Sequence, residues 1–307
     1  MIISWMLGIT LISQPLHTAD TTLVNPEGIT QTIINHDDFI LPIPGGTFIN
    51  VDHYNSFIEN LDQQIYKQPI NATVDKHGNI VSEQLGYKLN REALTVKLYN
   101  RFFITDTNRI EIPTLPLYPK VDSELLSNIL EKRIGTYITY FNAHNEKRSH
   151  NILLASEAIN NQVVFPGETF SFNRVVGKRT KDKGYLLAPI IVRGELSEGI
   201  GGGICQVSST LFNAVDNAGL KIVERYSHSK RVPYVPHGRD ATVSWYGPDF
   251  SFKNKFNQPI FIKARVYEGK MIVTIYSSEL INNKPKKIPS ASSILPKEIN
   301  VDIGVDD

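Results

Sequence analysis

Gly199-Ile200-Gly201-Gly202-Gly203-Ile204-Cys205-Gln206-Val207-Ser208-Ser209-Thr210-Leu211-Phe212-Asn213-Ala214 is the stretch from which the rest of the chain is read. A glycine cluster runs into a segment in which Leu211, Ala214 and Val215 recur at helical spacing, and Gly219 supplies a C-terminal stop. The single cysteine of the chain therefore falls in or just before the first turn of a helix. There the free N–H groups and the positive end of the helix dipole favour a thiolate, the nucleophilic form of cysteine.

Downstream of this junction the pattern turns to short strands: 222–228, 231–235, 241–246, 250–254, 260–267 and 271–276, with a Glu268-Gly269 turn closing a terminal hairpin. Upstream, 185–192 reads as a strand, 163–172 as a strand with a Pro166-Gly167 turn, 148–161 as a helix and 136–141 as a strand. A helix over 122–135 (Leu125, Leu126, Ile129, Leu130) ends at Gly135. Further back lie helices over 51–65 and 91–103, a hairpin over 70–83 turning at Lys76-His77-Gly78-Asn79, and proline-broken strands over 39–46 and 109–118. The sum is an α+β chain: a small N-terminal α+β module, then a β-rich body organised around the glycine-to-helix junction. The boundaries follow as an export-type segment and spacer (1–37), the module (38–120), a bridging helix (121–135), the body (136–281) and an unpatterned, flexible tail (282–307).

The first residues, Ile2 to Ile12, are mostly apolar, too short to span a bilayer and of the length of a signal-peptide core, although no Lys or Arg precedes them. We read them as an export signal followed by a polar spacer over 17–36. No other membrane span is expected. Thirty-two basic against thirty-one acidic residues leave a formal charge of +1, so there is no electrostatic case for nucleic acid. One cysteine excludes a disulfide framework and a thiolate-rich zinc site within the chain. Phosphate-loop, HExxH and GxSxG motifs are absent, His53 and His77 read as surface residues, and no cofactor or metal is expected.

The run Gly201 to Ala214, then Glu224-Arg225-Tyr226-Ser227-His228-Ser229, Val235-Pro236-His237-Gly238-Arg239-Asp240-Ala241-Thr242-Val243, Phe252-Lys253-Asn254 and, upstream, Phe165-Pro166-Gly167-Glu168-Thr169-Phe170-Ser171-Phe172-Asn173, resembles the VanW family. The resemblance covers roughly residues 135–277. The module before it resembles, on a weaker motif signal, the peptidoglycan-binding domain that accompanies VanW in exported YoaR-like proteins of Gram-positive bacteria. This implies a secreted cell-envelope protein, at the cell wall or the outer face of the cytoplasmic membrane, with peptidoglycan or its precursors as partner and a family name tied to vancomycin resistance. It implies no settled reaction.

Two classes of function are open at this point. In the first, Cys205 is a nucleophile, His228 its base and Asp240 the orienting carboxylate, in the chain order found in several thiol hydrolases. Gly201, Gly202 and Gly203 would let backbone approach a developing oxyanion, Gln206 would be a further donor, and His237 is the competing base. The chemistry would be acyl transfer or hydrolysis at a peptidoglycan stem-peptide amide, as in an amidase or transpeptidase. In the second, no nucleophile is needed. Arg193, Arg225 and Arg239 with Tyr185, Tyr226, Tyr234 and Trp245 form a polar, aromatic cleft for a glycan or a carboxylate-bearing peptide, or the chain is an envelope scaffold, and Cys205 packs as a small apolar side chain. In that reading the glycines only permit a tight turn, and Ser208, Ser209 and Thr210 are ordinary first-turn capping residues.

Overall fold

Strict alternation in the last two strands sets the platform of the molecule. In Lys270–Ser277 every second residue, Met271, Val273, Ile275 and Ser277, is buried, the period-2 signature of a half-covered sheet. The computed structural model describes residues 20–41, 43, 48–103, 108–192 and 195–294. They fall into two compact units, one ending at Asn71 and resuming over Glu83–Lys120, the other formed by Ala72–Ser82 and the chain from Val121.

In the first unit β1 (Thr21–Val24) pairs antiparallel with β2 (Thr30–Ile34) and parallel with β8 (Arg109–Glu111). The stretch read as a polar spacer is thus a hairpin with Leu23 fully buried, whereas the segment read as an export signal lies outside the described residues. Short pairs β3 (Ile40–Leu41) with β4 (Phe48–Ile49) and β7 (Gly86–Leu89) with β9 (Thr114–Leu117) complete its strands. Helix α1 (Val51–Ile65) starts where Asn50 accepts the His53 N–H, and it buries Ile58, Leu61 and Ile65. With Leu94 and Leu98 of α2 (Arg91–Phe103), Leu23, Ile34, Phe39 and Ile110, these make one core. Val51, Val96 and Tyr99 of these helices are exposed.

The second unit is built on a four-stranded antiparallel sheet in the order β10 (Lys132–Tyr140), β18 (Lys270–Ser277), β17 (Ile260–Tyr267), β11 (Gln162–Val164). On one face lie α4 (Glu146–Ile159) and α6 (Ile204–Asn217), and their apolar sides form the main core with Val273, Ile275, Phe250 and Phe252. Against Phe261 and Tyr276 of the same sheet pack α3 (Ser123–Ile129) and the hairpin β5 (Thr73–Val74) with β6 (Ile80–Val81). A smaller sheet of β12 (Thr169–Ser171), β16 (Ser251–Lys253) and β15 (Lys221–Glu224), the short helix α5 (Phe172–Val176) and the hairpin β13 (Leu187–Val192) with β14 (Glu195–Ile200) frame the start of α6.

Four readings of the sequence are corrected here. The helix expected to reach Gly135 stops at Ile129, and Gly135 lies within β10, where a methyl carbon would stand 2.5 Å from the Ala214 carbonyl oxygen of α6. Glycine is there for close approach of helix to sheet and not as a helix stop. Residues 231–235 and 241–246 form no strands; the isolated bridge Tyr226 to Thr242 is the only ladder contact among the described residues of 225–246. Tyr185, read as a cleft wall, is buried. The stretch read as a tail is held down over its described part: Lys286 Nζ donates to Asp216 at 2.8 Å, the Lys286 N–H to the Asn217 carbonyl at 2.8 Å, and the Tyr137 hydroxyl to the Pro289 carbonyl at 3.0 Å.

Candidate active site

The chain enters the site from β14 through Gly201 and Gly203, whose φ angles of +87° and +103° lie in the region that side chains disfavour. Between them, a methyl carbon on Gly202 would collide with the Ala188 carbonyl at 2.6 Å. These glycines make the turn and the close packing that deliver Gly203 as N-cap and Cys205 as the second helical residue of α6. From there one stripe of the helix, at spacings of three and four residues, faces the irregular segment 239–243. Ser208 Oγ donates to the Ala241 carbonyl at 2.6 Å, and the Ala241 N–H donates to Ser209 Oγ at 2.9 Å. Asn213 Nδ2 donates to the Arg239 carbonyl at 2.8 Å, and Arg239 pairs with Asp216 at 2.9 Å. Ser208, Ser209 and Thr210 are therefore buried stitching and not end caps; Thr210 bonds Thr139 of β10 at 2.8 Å.

The stitched segment presents the side chains the chemistry needs. Asp240 accepts from the His228 backbone N–H at 2.6 Å and faces His228 Nδ1 at 2.7 Å, with both side chains almost fully enclosed (7% and 9% exposed). The imidazole also interacts electrostatically with Cys205, while the hydrogen bonds of the sulfur itself go to Thr242 and Val243. Cys205 is partly buried; its Sγ lies 3.8 Å from Thr242 Oγ1 and donates to the Val243 carbonyl at 3.6 Å. Burial alone would push the thiol up, but His228, the backbone of Val243 and Thr242 outweigh it and hold Cys205 below its ordinary value. For His228, burial works against the charge, and Cys205 and Asp240 overcome it, raising the imidazole. Burial likewise opposes the Asp240 charge, and the bonds from His228 keep that carboxyl low. All three shifts favour a thiolate–imidazolium pair steadied by a carboxylate.

The other residues singled out from the sequence are not at the sulfur as ligand-binding groups. Gln206 is fully buried, with Nε2 donating to Thr139 at 3.0 Å and to the Tyr140 carbonyl at 3.1 Å. Its backbone N–H donates to the Gly203 carbonyl at 3.0 Å, so both of its donor groups are occupied. Arg225 donates to the Asp240 carbonyl at 2.6 Å and, like Arg239, lies over the Phe212 ring, so both arginines brace the segment from behind. Arg193 lies outside the described residues. His237 is exposed and lines a pocket of about 160 Å³ with His228, Asp240, Lys230 and Arg231, a pocket to which Cys205 does not contribute. Among the described residues no group of three His, Cys, Asp or Glu side chains is placed to hold a metal ion.

Sequence reasoning placed Tyr234 in a ligand cleft and passed over Arg148 and Arg179. Tyr234 has its phenol pushed well up by burial and by the nearby Cys205. Arg148 Nη2 donates to Gln206 Oε1 at 2.6 Å, and Arg179 interacts electrostatically with Cys205.

Residues 147–276, which include all of Cys205, His228, Asp240 and Arg179, match the family model described as VanW like protein. The chain is 56% identical over 295 residues, 96% of its own length and 97% of the other's, to the uncharacterized protein YoaR of Bacillus subtilis (strain 168). It is 30% identical over 141 residues, 44% of this chain and 51% of the other, to the vancomycin B-type resistance protein VanW of Enterococcus faecalis (strain ATCC 700802 / V583). No solved structure matches. By the family model and the near full-length relative, the chain belongs to the VanW family.

Proposed function

We propose that the second unit is a cysteine-dependent acyl transferase or hydrolase acting on stem-peptide amides of peptidoglycan or its precursors, and that the chain works outside the cytoplasmic membrane. The observation that carries this is the enclosed His228–Asp240 pair, at 2.7 Å, whose imidazole interacts electrostatically with Cys205 in the first turn of α6. The Cys205 thiolate attacks the amide carbonyl carbon, forming a C–S bond and an oxyanion. The positive end of the α6 dipole stabilises that charge, the Ile204 and Gln206 N–H groups being already bonded to the Gly201 and Gly203 carbonyls. His228, protonated and held by Asp240, gives its proton to the amide nitrogen as the C–N bond breaks and the amine leaves. Water, or an acceptor amine, then attacks the thioester, His228 removes the proton of the attacking group, and the thiolate is released with a carboxylate or a new amide as product.

The binding-cleft reading loses support because Arg225, Arg239 and Tyr185 are engaged within the protein. The choice of an envelope substrate is supported by the printed name of the 30% identical relative, a vancomycin resistance protein, and by the family membership. Peptidoglycan binding by the first unit belongs to the same proposal. Cys205→Ala should abolish muropeptide turnover while leaving purified sacculi bound in a pull-down. Full turnover by that variant would end the nucleophile reading, and no binding by either form would end the choice of substrate.

A further inference from the structure

We propose that Arg179 receives a carboxylate of the substrate beside the bond that Cys205 attacks, so that the site selects peptides that are anionic next to the scissile amide. This rests on the acyl-transfer reading of the triad. Arg179 comes from the loop between α5 and β13 and lies along the glycine turn that delivers the nucleophile: a methyl carbon at Gly201 would stand 3.2 Å from Arg179 Cβ and 3.3 Å from Cγ. Its guanidinium carbon lies 5.8 Å from the centre of the Phe172 ring, and Nη2 donates to Asn173 Oδ1 at 2.7 Å. Asn173 donates through Nδ2 to the carbonyls of Ser244, at 2.9 Å, and Pro248, at 3.2 Å. The arginine is thus anchored to the loop whose Val243 carbonyl touches the sulfur.

Nη1 of this guanidinium is enclosed and has no hydrogen-bond partner. The acidic side chain that interacts with it, Asp249, is committed elsewhere: its oxygens accept from the Ser171 hydroxyl at 2.5 Å and from the N–H groups of Asn173 at 2.8 Å and Phe250 at 2.7 Å. An arginine whose charge is felt by Cys205 and Asp249, but whose Nη2 meets one neutral amide and whose Nη1 meets nothing, is a donor fork short of an acceptor. Burial works against its charge, and Cys205, Tyr185 and Asp249 offset this only in part, so an incoming anion completes the arrangement. The sulfur is already served by His228 in the proposed reaction. The planar fork suits the remaining anionic group a peptide offers, a carboxylate.

Two alkylating reagents of similar size test this on the full chain without a known substrate: iodoacetate, which carries a carboxylate, and neutral iodoacetamide. At Cys205 the native chain should favour iodoacetate over iodoacetamide more than the same thiol does after unfolding. Arg179→Gln should lower that ratio roughly tenfold, the size of one charge-assisted hydrogen bond, over and above any fall the two reagents share through loss of its charge near the thiolate. Arg179→Lys should fall between. An unchanged ratio, or an equal fall with both reagents, overturns the proposal, the latter by assigning Arg179 to the thiolate alone. Should Arg179→Gln not fold, acetate added to the native chain should protect Cys205 from iodoacetamide where chloride at equal ionic strength does not; absence of protection overturns it equally. The acyl-transfer reading fails separately, if iodoacetamide reacts with the native thiol no faster than with the unfolded one.

Discussion

At the scale of single residues the Cys205, His228 and Asp240 cluster makes its charge state measurable. The fold raises His228 above its ordinary 6.5, so the imidazolium stabilises the fold fully below about that pH, and this contribution is lost as pH rises through the folded value. It lowers Cys205 below its ordinary 9.0, so the thiolate contribution is present above that pH and is lost as pH falls through the folded value. The two belong to one coupled pair. Turnover against pH should therefore be bell-shaped, with a rising limb below 9.0 set by thiolate formation and a falling limb above 6.5 set by loss of the proton destined for the leaving amine. In His228→Ala the midpoint for iodoacetamide alkylation of Cys205 should climb toward 9.0, because burial then acts with less opposition. A midpoint that stays put would show that the imidazole does not govern the sulfur. Asp240→Asn should cost roughly 10²–10⁴-fold in turnover, the range of a general acid–base contribution, since the ring loses the partner that fixes its tautomer.

At the scale of elements, α6 holds the site together. Ser209→Ala leaves the buried Ala241 N–H without its acceptor and should destabilise the chain by about 1–3 kcal/mol in urea unfolding. Gly135→Ala should cost about 1–3 kcal/mol by overpacking β10 against Ala214 and Ala218. An unchanged urea midpoint in either variant would mean that the contact it removes or crowds carries no load. The start and end of α6, the terminal hairpin and the helices of the first unit were legible because apolar spacing and glycine stops act locally. So was the bringing together of Cys205, His228 and Asp240 as candidates, through their motifs. The roles of Gly135, Arg225, Arg239 and Gln206 were not. A glycine that admits a helix reads like one that ends it, and an arginine folded back on its own loop reads like one facing a ligand, until the partner across the fold is known. The segment 225–246 was misread as strands for the same reason: it is ordered by Ser208, Ser209, Asn213 and Arg225, and not by a ladder with its own periodicity.

For the whole molecule, the division of the chain departs from its order in sequence. The hairpin Ala72–Ser82 belongs with the second unit: Val74 exchanges hydrogen bonds with the Asn161 side chain, at 2.7 and 3.2 Å, and with Ala72 it covers Leu126, Ile129 and Phe261. A fragment beginning at Val121 should consequently be less stable to urea than one that also keeps Ala72–Ser82, by about 3 kcal/mol for one buried valine and two hydrogen bonds. Equal stability would reduce the hairpin to a surface ornament. The arrangement around Cys205 has a consequence of a different kind. Cys205 stands on a helix rooted in the main core, whereas His228 and Asp240 stand on backbone that has almost no ladder of its own and hangs from a few side chains. Such a segment can open without the rest unfolding. Hydrogen exchange at Ala241 and Thr242 should then outpace exchange in β17 and β18, and a population of molecules should exist that is folded by every global measure and yet has no base beside its sulfur.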